Sequence, residues 1–130
     1  MTHQRNENRA GEAVPEGLWN KCPQCGDMLY QPEMEQDLYV CRHCGHHLRL
    51  TARERIAITA DEGSFRERDT TMRSSDPLGF PGYAAKLQED VAATGLHDAF
   101  VWGECSIEGA PVSIAIMDFS FRGGSMGAVV

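Results

Sequence analysis

Residues 22–45 read CPQCGDMLYQPEMEQDLYVCRHCG, and their four cysteines are spaced C-x2-C-x15-C-x2-C. Thiolates are soft ligands that suit Zn²⁺, and two C-x2-C pairs, or knuckles, complete a tetrahedral shell with no open position for catalysis. This spacing is typical of zinc sites, and the alternatives are two disulfides or four unrelated thiols. The sequence therefore predicts a structural zinc site formed by Cys22, Cys25, Cys41 and Cys44.

The segment between the knuckles predicts a small β-hairpin. Met28–Tyr30 and Leu38–Val40 are short apolar runs, and they flank the polar residues 31–37. Gly26 and Gly45 follow the second cysteine of each knuckle, where we expect a positive φ angle. Two knuckles joined by two strands are the layout of a zinc ribbon, which we expect over residues 18–50.

Three histidines, His43, His46 and His47, lie in or beside the second knuckle. A shell of three cysteines and one histidine is conceivable, but four well-spaced cysteines make a ligand role for these histidines unnecessary. We expect them at the surface or donating a hydrogen bond to a cysteine sulfur.

Composition restricts the functions that the chain can have. The 130 residues are 42% hydrophobic, with a formal net charge of -7 and a pI near 5.1. An acidic chain is poorly suited to bind nucleic acid, and residues 19–55 contain five basic and five acidic groups. Polar residues 1–17 predict a flexible tail rather than a signal peptide. The two knuckles and the unpaired fifth cysteine, Cys105, together indicate a reducing cytoplasm. Cys105 itself is expected to be a small apolar residue of the core.

Residues 51–130 predict an α and β domain. Thr51 and Glu54 form a capping box for a helix that runs to about Asp61. Tyr83, Leu87 and Val91 recur every four residues, which predicts a second helix over Tyr83–Thr94, ended by Gly95. Residues 99–107 and 112–121 predict a β-hairpin, and Val112–Phe119 is apolar on both faces, as in a buried strand of an α/β domain. Because the remaining residues cannot supply layers for both faces, the sequence reads as truncated inside a domain: either it is a fragment, or it completes its core with another polypeptide.

Two polar features follow that strand. Asp118 is either a catalytic carboxylate or, more commonly, a hydrogen-bonded carboxylate at a strand end. Gly123-Gly124-Ser125 can form a turn whose backbone N–H groups face an anion or a carbonyl oxygen, although a turn that simply needs glycine is the commoner case. The sequence assigns no catalytic residue.

Five stretches occur in a specific order: PEGLWNKC at 15–22, the four knuckle cysteines, HHLRLTAR at 46–53, DEGSF at 61–65 and DFSFRGGSMG at 118–127. Together they resemble the N-terminal part of the β subunit of bacterial acetyl-CoA carboxylase carboxyltransferase, over roughly residues 15–130. The resemblance implies a zinc ribbon followed, over residues 51–130, by a helical connector and the beginning of a crotonase-like (ClpP/crotonase) α/β domain.

The resemblance also implies a function. Such a transferase moves a carboxyl group from carboxybiotin, held on a biotin carboxyl carrier protein, to acetyl-CoA, which gives malonyl-CoA for fatty acid biosynthesis. The implied partners are a carboxyltransferase α subunit in an α2β2 assembly and biotin carboxylase. Gly123 and Gly124 match a family motif near the active site and are candidate substrate-binding residues. The family's Gly-Gly-Ala turn, which stabilises the acetyl enolate, is absent, so the chain alone is expected to be inactive. The alternative function is a free-standing zinc ribbon that binds nucleic acid or protein.

Overall fold

The protein divides into two compact units in the computed structural model. The structure describes residues 18–130, so the predicted tail at residues 1–17 lies outside the described residues. The first unit ends at Leu48, and the second comprises Arg49–Val130. None of the helices formed by residues 18–130 has the length and apolar content that crossing a bilayer requires.

The first unit contains a two-stranded sheet and one short helix. Strand β1 (Trp19–Lys21) pairs antiparallel with β2 (Met28–Tyr30), and helix α1 (Gln31–Gln36) follows directly. The predicted hairpin between Met28–Tyr30 and Leu38–Val40 is therefore wrong. The partner of β2 precedes the first knuckle, and the polar segment that was expected to be a loop is helical.

Local chemistry explains the helix. Pro32 lies in the first turn of α1, where its missing N–H group costs no hydrogen bond, and Glu33 in the same turn favours the helix dipole. Leu38 and Tyr39 then take left-handed φ angles of 52° and 61°, which stops the helix and prevents an extended strand. Val40 makes only an isolated bridge, with His47.

The second unit is built on a three-stranded antiparallel sheet in the order β3-β4-β5. Its strands are β3 (Arg66–Glu67), β4 (Phe100–Ile107) and β5 (Ala110–Met117). The two-residue turn between β4 and β5 has φ angles of 50° at Glu108 and 79° at Gly109, as tight hairpins require. The Asp61 carboxylate accepts both turn N–H groups, at 2.8 and 2.9 Å. The predicted β-hairpin is confirmed.

The core of this unit lies between the sheet and helix α2 (Ala52–Ala57). Ala52 and Ile56 pack with Val101 of β4, and Ile116 of β5 packs against them. The predicted capping box is confirmed, but α2 ends four residues before Asp61. One cause is Thr59, whose hydroxyl donates to the Arg55 carbonyl at 2.7 Å and so competes with helical hydrogen bonding.

The remaining elements partly match the prediction. Helix α3 (Tyr83–Thr94) has the predicted bounds, and Gly95 caps it with a φ angle of 71°. Cys105 is buried as expected. Strand β5, however, lies at the sheet edge, and none of its side chains is fully buried. Residues 18–130 therefore leave this strand without layers on both faces, as expected from the sequence.

Asp118 directly follows β5 and is 3% exposed. Its carboxylate accepts the N–H of Ala52, the first residue of α2, at 2.7 Å, and the N–H of Ser120 at 2.9 Å. Burial raises the pKa of Asp118, but these hydrogen bonds and that from the Ser120 hydroxyl outweigh it, so the pKa lies below its ordinary value. Asp118 thus joins a strand end to a helix start, as the commoner sequence interpretation expected.

We predict that Asp118→Asn lowers the free energy of unfolding at pH 7 by about 1–3 kcal/mol, because hydrogen bonds to a buried charge are lost. The folded pKa is depressed, so this stabilisation is present above the unfolded value of about 3.9 and is lost as pH falls through the folded pKa. Denaturant unfolding at pH 7 and pH 3 should show the difference from the native chain shrink at pH 3. Exposed Glu62→Gln is the control, and a pH-independent difference would contradict the prediction.

Candidate metal centre

The four knuckle cysteines bring their sulfur atoms together in the first unit. All four Sγ atoms lie within 4.8 Å of one another. The pairs Cys22–Cys44 and Cys25–Cys41 are each separated by 3.8 Å between Sγ atoms. A tetrahedron with Zn–S bonds of about 2.3 Å has S···S edges of about 3.8 Å. These separations fit a zinc ion, and the four cysteines are free rather than disulfide-bonded.

The two knuckles have the same local hydrogen bonds. In the first, the Gly26 N–H donates to the Cys22 carbonyl at 2.9 Å, and in the second, the Gly45 N–H donates to the Cys41 carbonyl at 2.8 Å. The φ angles of these glycines are 82° and 73°, which confirms the predicted positive values. Each knuckle is thus one copy of a tight turn that points two sulfurs in the same direction.

Backbone N–H groups also point at the sulfurs. The N–H of Cys25, helped by that of Gln24, lowers the pKa of Cys22 to about 6, against the opposing effect of burial. Such donors stabilise a thiolate, which is the form that binds a metal.

Two other thiols, Cys25 and Cys44, do not ionise as readily. The Asp27 N–H lowers the pKa of Cys25, but burial and the neighbouring thiols outweigh it and raise the pKa to about 12. The His46 N–H likewise acts on Cys44, whose pKa is nevertheless raised by burial and by neighbouring cysteines. Several sulfurs packed this closely cannot all be charged unless a cation neutralises them, and this donor set suits a soft dication.

Burial divides the four sulfurs into two pairs. The first cysteine of each knuckle, Cys22 or Cys41, is 1% exposed, whereas Cys25 and Cys44 are exposed. A metal held by all four would have one side against the interior of the unit. All four positions of its shell would be sulfur, so the arrangement supports a structural rather than a catalytic role.

The histidines lie outside the cluster of four thiols. Within residues 18–130, the group of side chains able to hold a metal contains the four cysteines and no histidine. The His43 Nδ1 is 3.8 Å from the Asp27 carboxylate. His46 contributes through its backbone: its N–H points at the Cys44 sulfur, and its carbonyl accepts the Cys41 N–H at 2.8 Å.

The glycine pair lies in the second unit, in a short 3₁₀ turn (Arg122–Gly124). The φ angles are 46° at Arg122, 66° at Gly123 and 71° at Gly124. No helix follows this turn within the described part of the chain, so no helix N-terminus lies beside the glycines there. Sequence reasoning overlooked Arg122, which makes an ion pair with Asp90 at 2.6 Å. In the sequence, the only sign of this ion pair is the positive charge of Arg122 next to the two glycines.

Comparisons with known proteins agree with this geometry. A family model described as the acetyl-CoA carboxylase zinc finger domain matches residues 19–44. The acetyl-coenzyme A carboxylase carboxyl transferase subunit beta of Synechococcus sp. (strain WH7803) is 48% identical over 118 residues, covering 88% of this chain and 40% of that protein. The corresponding subunit of Desulforamulus reducens is 49% identical over 129 residues, covering 99% of this chain and 44% of that protein.

A solved structure, the transcarboxylase 12S hexamer core with hydrolyzed methylmalonyl-coenzyme A bound, matches with 28% identity and a TM-score of 0.47. It covers 73% of this chain and 15% of that chain. The sequence identities confirm the resemblance to carboxyltransferase β subunits, and with the four-cysteine cluster they support the fold class of a zinc ribbon followed by a partial α/β domain that resembles a carboxyltransferase domain. The chain spans about 40% of the length of the Synechococcus relative.

We predict one zinc ion per chain in protein purified without chelator, measured by elemental analysis. Cys22→Ser should abolish stoichiometric zinc and unfold the first unit, because metal binding in such sites is worth about 10–16 kcal/mol and is coupled to folding. Cys105→Ala, which changes a buried thiol outside the cluster, is the matched control and should keep its zinc. Metal-free native protein, or a Cys22→Ser variant with full zinc, would contradict the prediction.

Proposed function

We propose that this chain is part of a β subunit of acetyl-CoA carboxylase carboxyltransferase. In this function, the assembled enzyme transfers the carboxyl group of carboxybiotin to acetyl-CoA and forms malonyl-CoA for fatty acid biosynthesis. The observation that carries the proposal is 48% identity over 118 residues to a carboxyltransferase β subunit. Because the chain spans about 40% of that relative, the activity is proposed for the complete assembly.

The proposed role of the zinc site is structural. Cys22, Cys25, Cys41 and Cys44 would hold one Zn²⁺ and fold residues 18–50 into the ribbon. The metal would supply a fixed charge that neutralises the thiolates, and it would take no part in carboxyl transfer because its shell is closed. Support comes from the S···S separations of 3.8 Å and from the family model over residues 19–44.

Gly123 and Gly124 are the proposed contacts to substrate. Carboxylation of acetyl-CoA passes through an enolate, and backbone N–H groups aimed at the developing oxyanion stabilise it electrostatically. The Gly124 N–H donates within the turn to the Phe121 carbonyl at 2.9 Å, so the proposed donor to the oxyanion is the Gly123 N–H, and Gly124 would contribute a close approach of its backbone. Without a side chain at Gly123, where an added Cβ would meet no atom within 4 Å, a substrate oxygen can approach the backbone closely.

The proposed partners follow from the same function. They are a carboxyltransferase α subunit in an α2β2 assembly, the biotin carboxyl carrier protein that delivers carboxybiotin, and biotin carboxylase. We place the enzyme in the cytoplasm. Support for that location is the free state of the cysteines, including buried Cys105, which suits a reducing compartment.

One observation favours the alternative of a nucleic-acid-binding ribbon. Trp19 and Met28 are 50% and 54% exposed on the face of the ribbon that also carries Lys21. The charges oppose it: Arg42 is paired with Glu33 and Asp37, both at 2.8 Å, and so offers little free charge to phosphate. A steep salt dependence of binding to RNA or DNA would favour this alternative.

We predict that the purified 130-residue chain forms no malonyl-CoA from acetyl-CoA and carboxybiotin. Extending it with the remaining sequence of a close β subunit and adding the α subunit should restore turnover. The measurement is incorporation of labelled bicarbonate-derived carboxyl into malonyl-CoA, with the extended chain lacking the α subunit as control. Turnover by the chain alone would show that these 130 residues contain a working active site, which would contradict this prediction. An inactive complete assembly would contradict the proposed function.

We predict that Gly123→Ala lowers carboxyltransferase kcat/KM at least about tenfold in that assembly, because the added methyl group obstructs approach to the turn and strains its backbone. Gly95→Ala is the matched control. Gly95 has a φ angle of 71°, against 66° for Gly123, and a Cβ at either position meets no atom within 4 Å. Both variants should lose similar stability, about 1 kcal/mol. Equal activity of the two variants would contradict the role of the turn.

A further inference from the structure

Arg122 has an unusual backbone conformation for its residue type. Its φ angle is 46°, in the left-handed region that non-glycine residues rarely adopt. It immediately precedes Gly123 and Gly124, whose angles are also left-handed. A side chain held in this region needs surrounding contacts that determine its conformation.

Two contacts with α3 meet this need. The Arg122 Nη2 atom is 2.6 Å from an Asp90 carboxylate oxygen, and the two side chains are only 26% and 25% exposed. The guanidinium carbon also lies 5.2 Å from the centre of the Tyr83 ring. Tyr83 and Asp90 are seven residues apart, about two helical turns, so both lie on the same side of α3.

This ion pair is better shielded than others in the second unit. The pair between Arg68 and Glu104 has side chains that are 52% and 57% exposed, and solvent screens such a pair strongly. The Arg122–Asp90 pair is partly desolvated, so its attraction is stronger. A planar guanidinium can bind a carboxylate and stack on an aromatic ring simultaneously, which a lysine ammonium does less well.

We propose that Arg122 is a positioning residue, whose ion pair with Asp90 and cation–π contact with the Tyr83 ring hold the Gly123–Gly124 turn in place relative to α3. Its value for catalysis rests on the proposed function of that turn in binding acetyl-CoA. The backbone hydrogen bonds of the turn are local. The Gly124 N–H donates to the Phe121 carbonyl at 2.9 Å, and the Ser125 N–H donates to the Arg122 carbonyl at 3.3 Å, so neither bond connects the turn to α3. The Arg122 side chain supplies the long-range restraint.

The first test measures amide hydrogen exchange of Gly124 and Ser125 in the 130-residue chain and needs no activity. Asp90→Asn should speed exchange at these amides about tenfold, which corresponds to about 1.4 kcal/mol. Exposed Glu89→Gln, the neighbouring position on α3, is the matched control and should leave exchange unchanged. Combining Asp90→Asn with Arg122→Ala should add little to Arg122→Ala alone, since the two residues act together. Unchanged exchange in Asp90→Asn, or fully additive effects, would overturn the positioning role.

The second test uses the complete carboxyltransferase assembly. Asp90→Asn should lower kcat/KM for acetyl-CoA about tenfold, because small displacements of oriented groups reduce rates. The KM for the biotin substrate should not change, and Arg122→Lys should recover part of the loss seen in Arg122→Ala. Faster exchange with unchanged acetyl-CoA kinetics would overturn the catalytic value of the positioning. An inactive native assembly would instead count against the proposed function, and the exchange result would still decide whether Arg122 holds the turn.

Discussion

The mutual approach of four sulfur atoms is the constraint on which the first unit depends. Residues 18–48 are too few to bury a large apolar core, and the buried apolar side chains beside the cysteines are Leu29, Met34 and Tyr39. Sulfurs 3.8 Å apart would repel one another as thiolates without a cation between them. We therefore expect metal binding and folding of this unit to be one process, so that a change at any one knuckle cysteine acts on the whole ribbon.

Buried and half-buried carboxylates take an analogous role in the second unit. Asp118 accepts the N–H of Ala52 at the start of α2, and Asp61 accepts the two N–H groups of the β4–β5 turn. The pKa of Asp61 is lowered by hydrogen bonding from Ser106 and from the turn, and that of Asp118 is lowered although burial opposes it. Each carboxylate satisfies backbone donors of a distant element, so a few charges fix the connections between short elements.

The features predictable from sequence are those set by nearby residues. The knuckle spacing, the capping box at Thr51 and the glycine end of α3 each depend on a few neighbouring residues, and the structure shows these local features. The absence of a strand at residues 38–40 was not predictable, because the left-handed φ angles of Leu38 and Tyr39 prevent it and apolar periodicity does not report such angles. The Arg122–Asp90 pair joins residues far apart in the chain, and neither position is unusual alone.

The same contacts explain how an irregular turn can have a defined position. Asp118, before the turn, is hydrogen-bonded to the first N–H of α2, and Arg122, at its start, is paired with Asp90 of α3. Between them Phe121 is buried, whereas Phe119 is 65% exposed. The chain from 118 to 122 is therefore attached at two charges and one apolar side chain to separate elements. Gly123 can then keep open space around its backbone, where an added Cβ would meet no atom within 4 Å, because the residues that precede it carry the restraints that a side chain would otherwise provide.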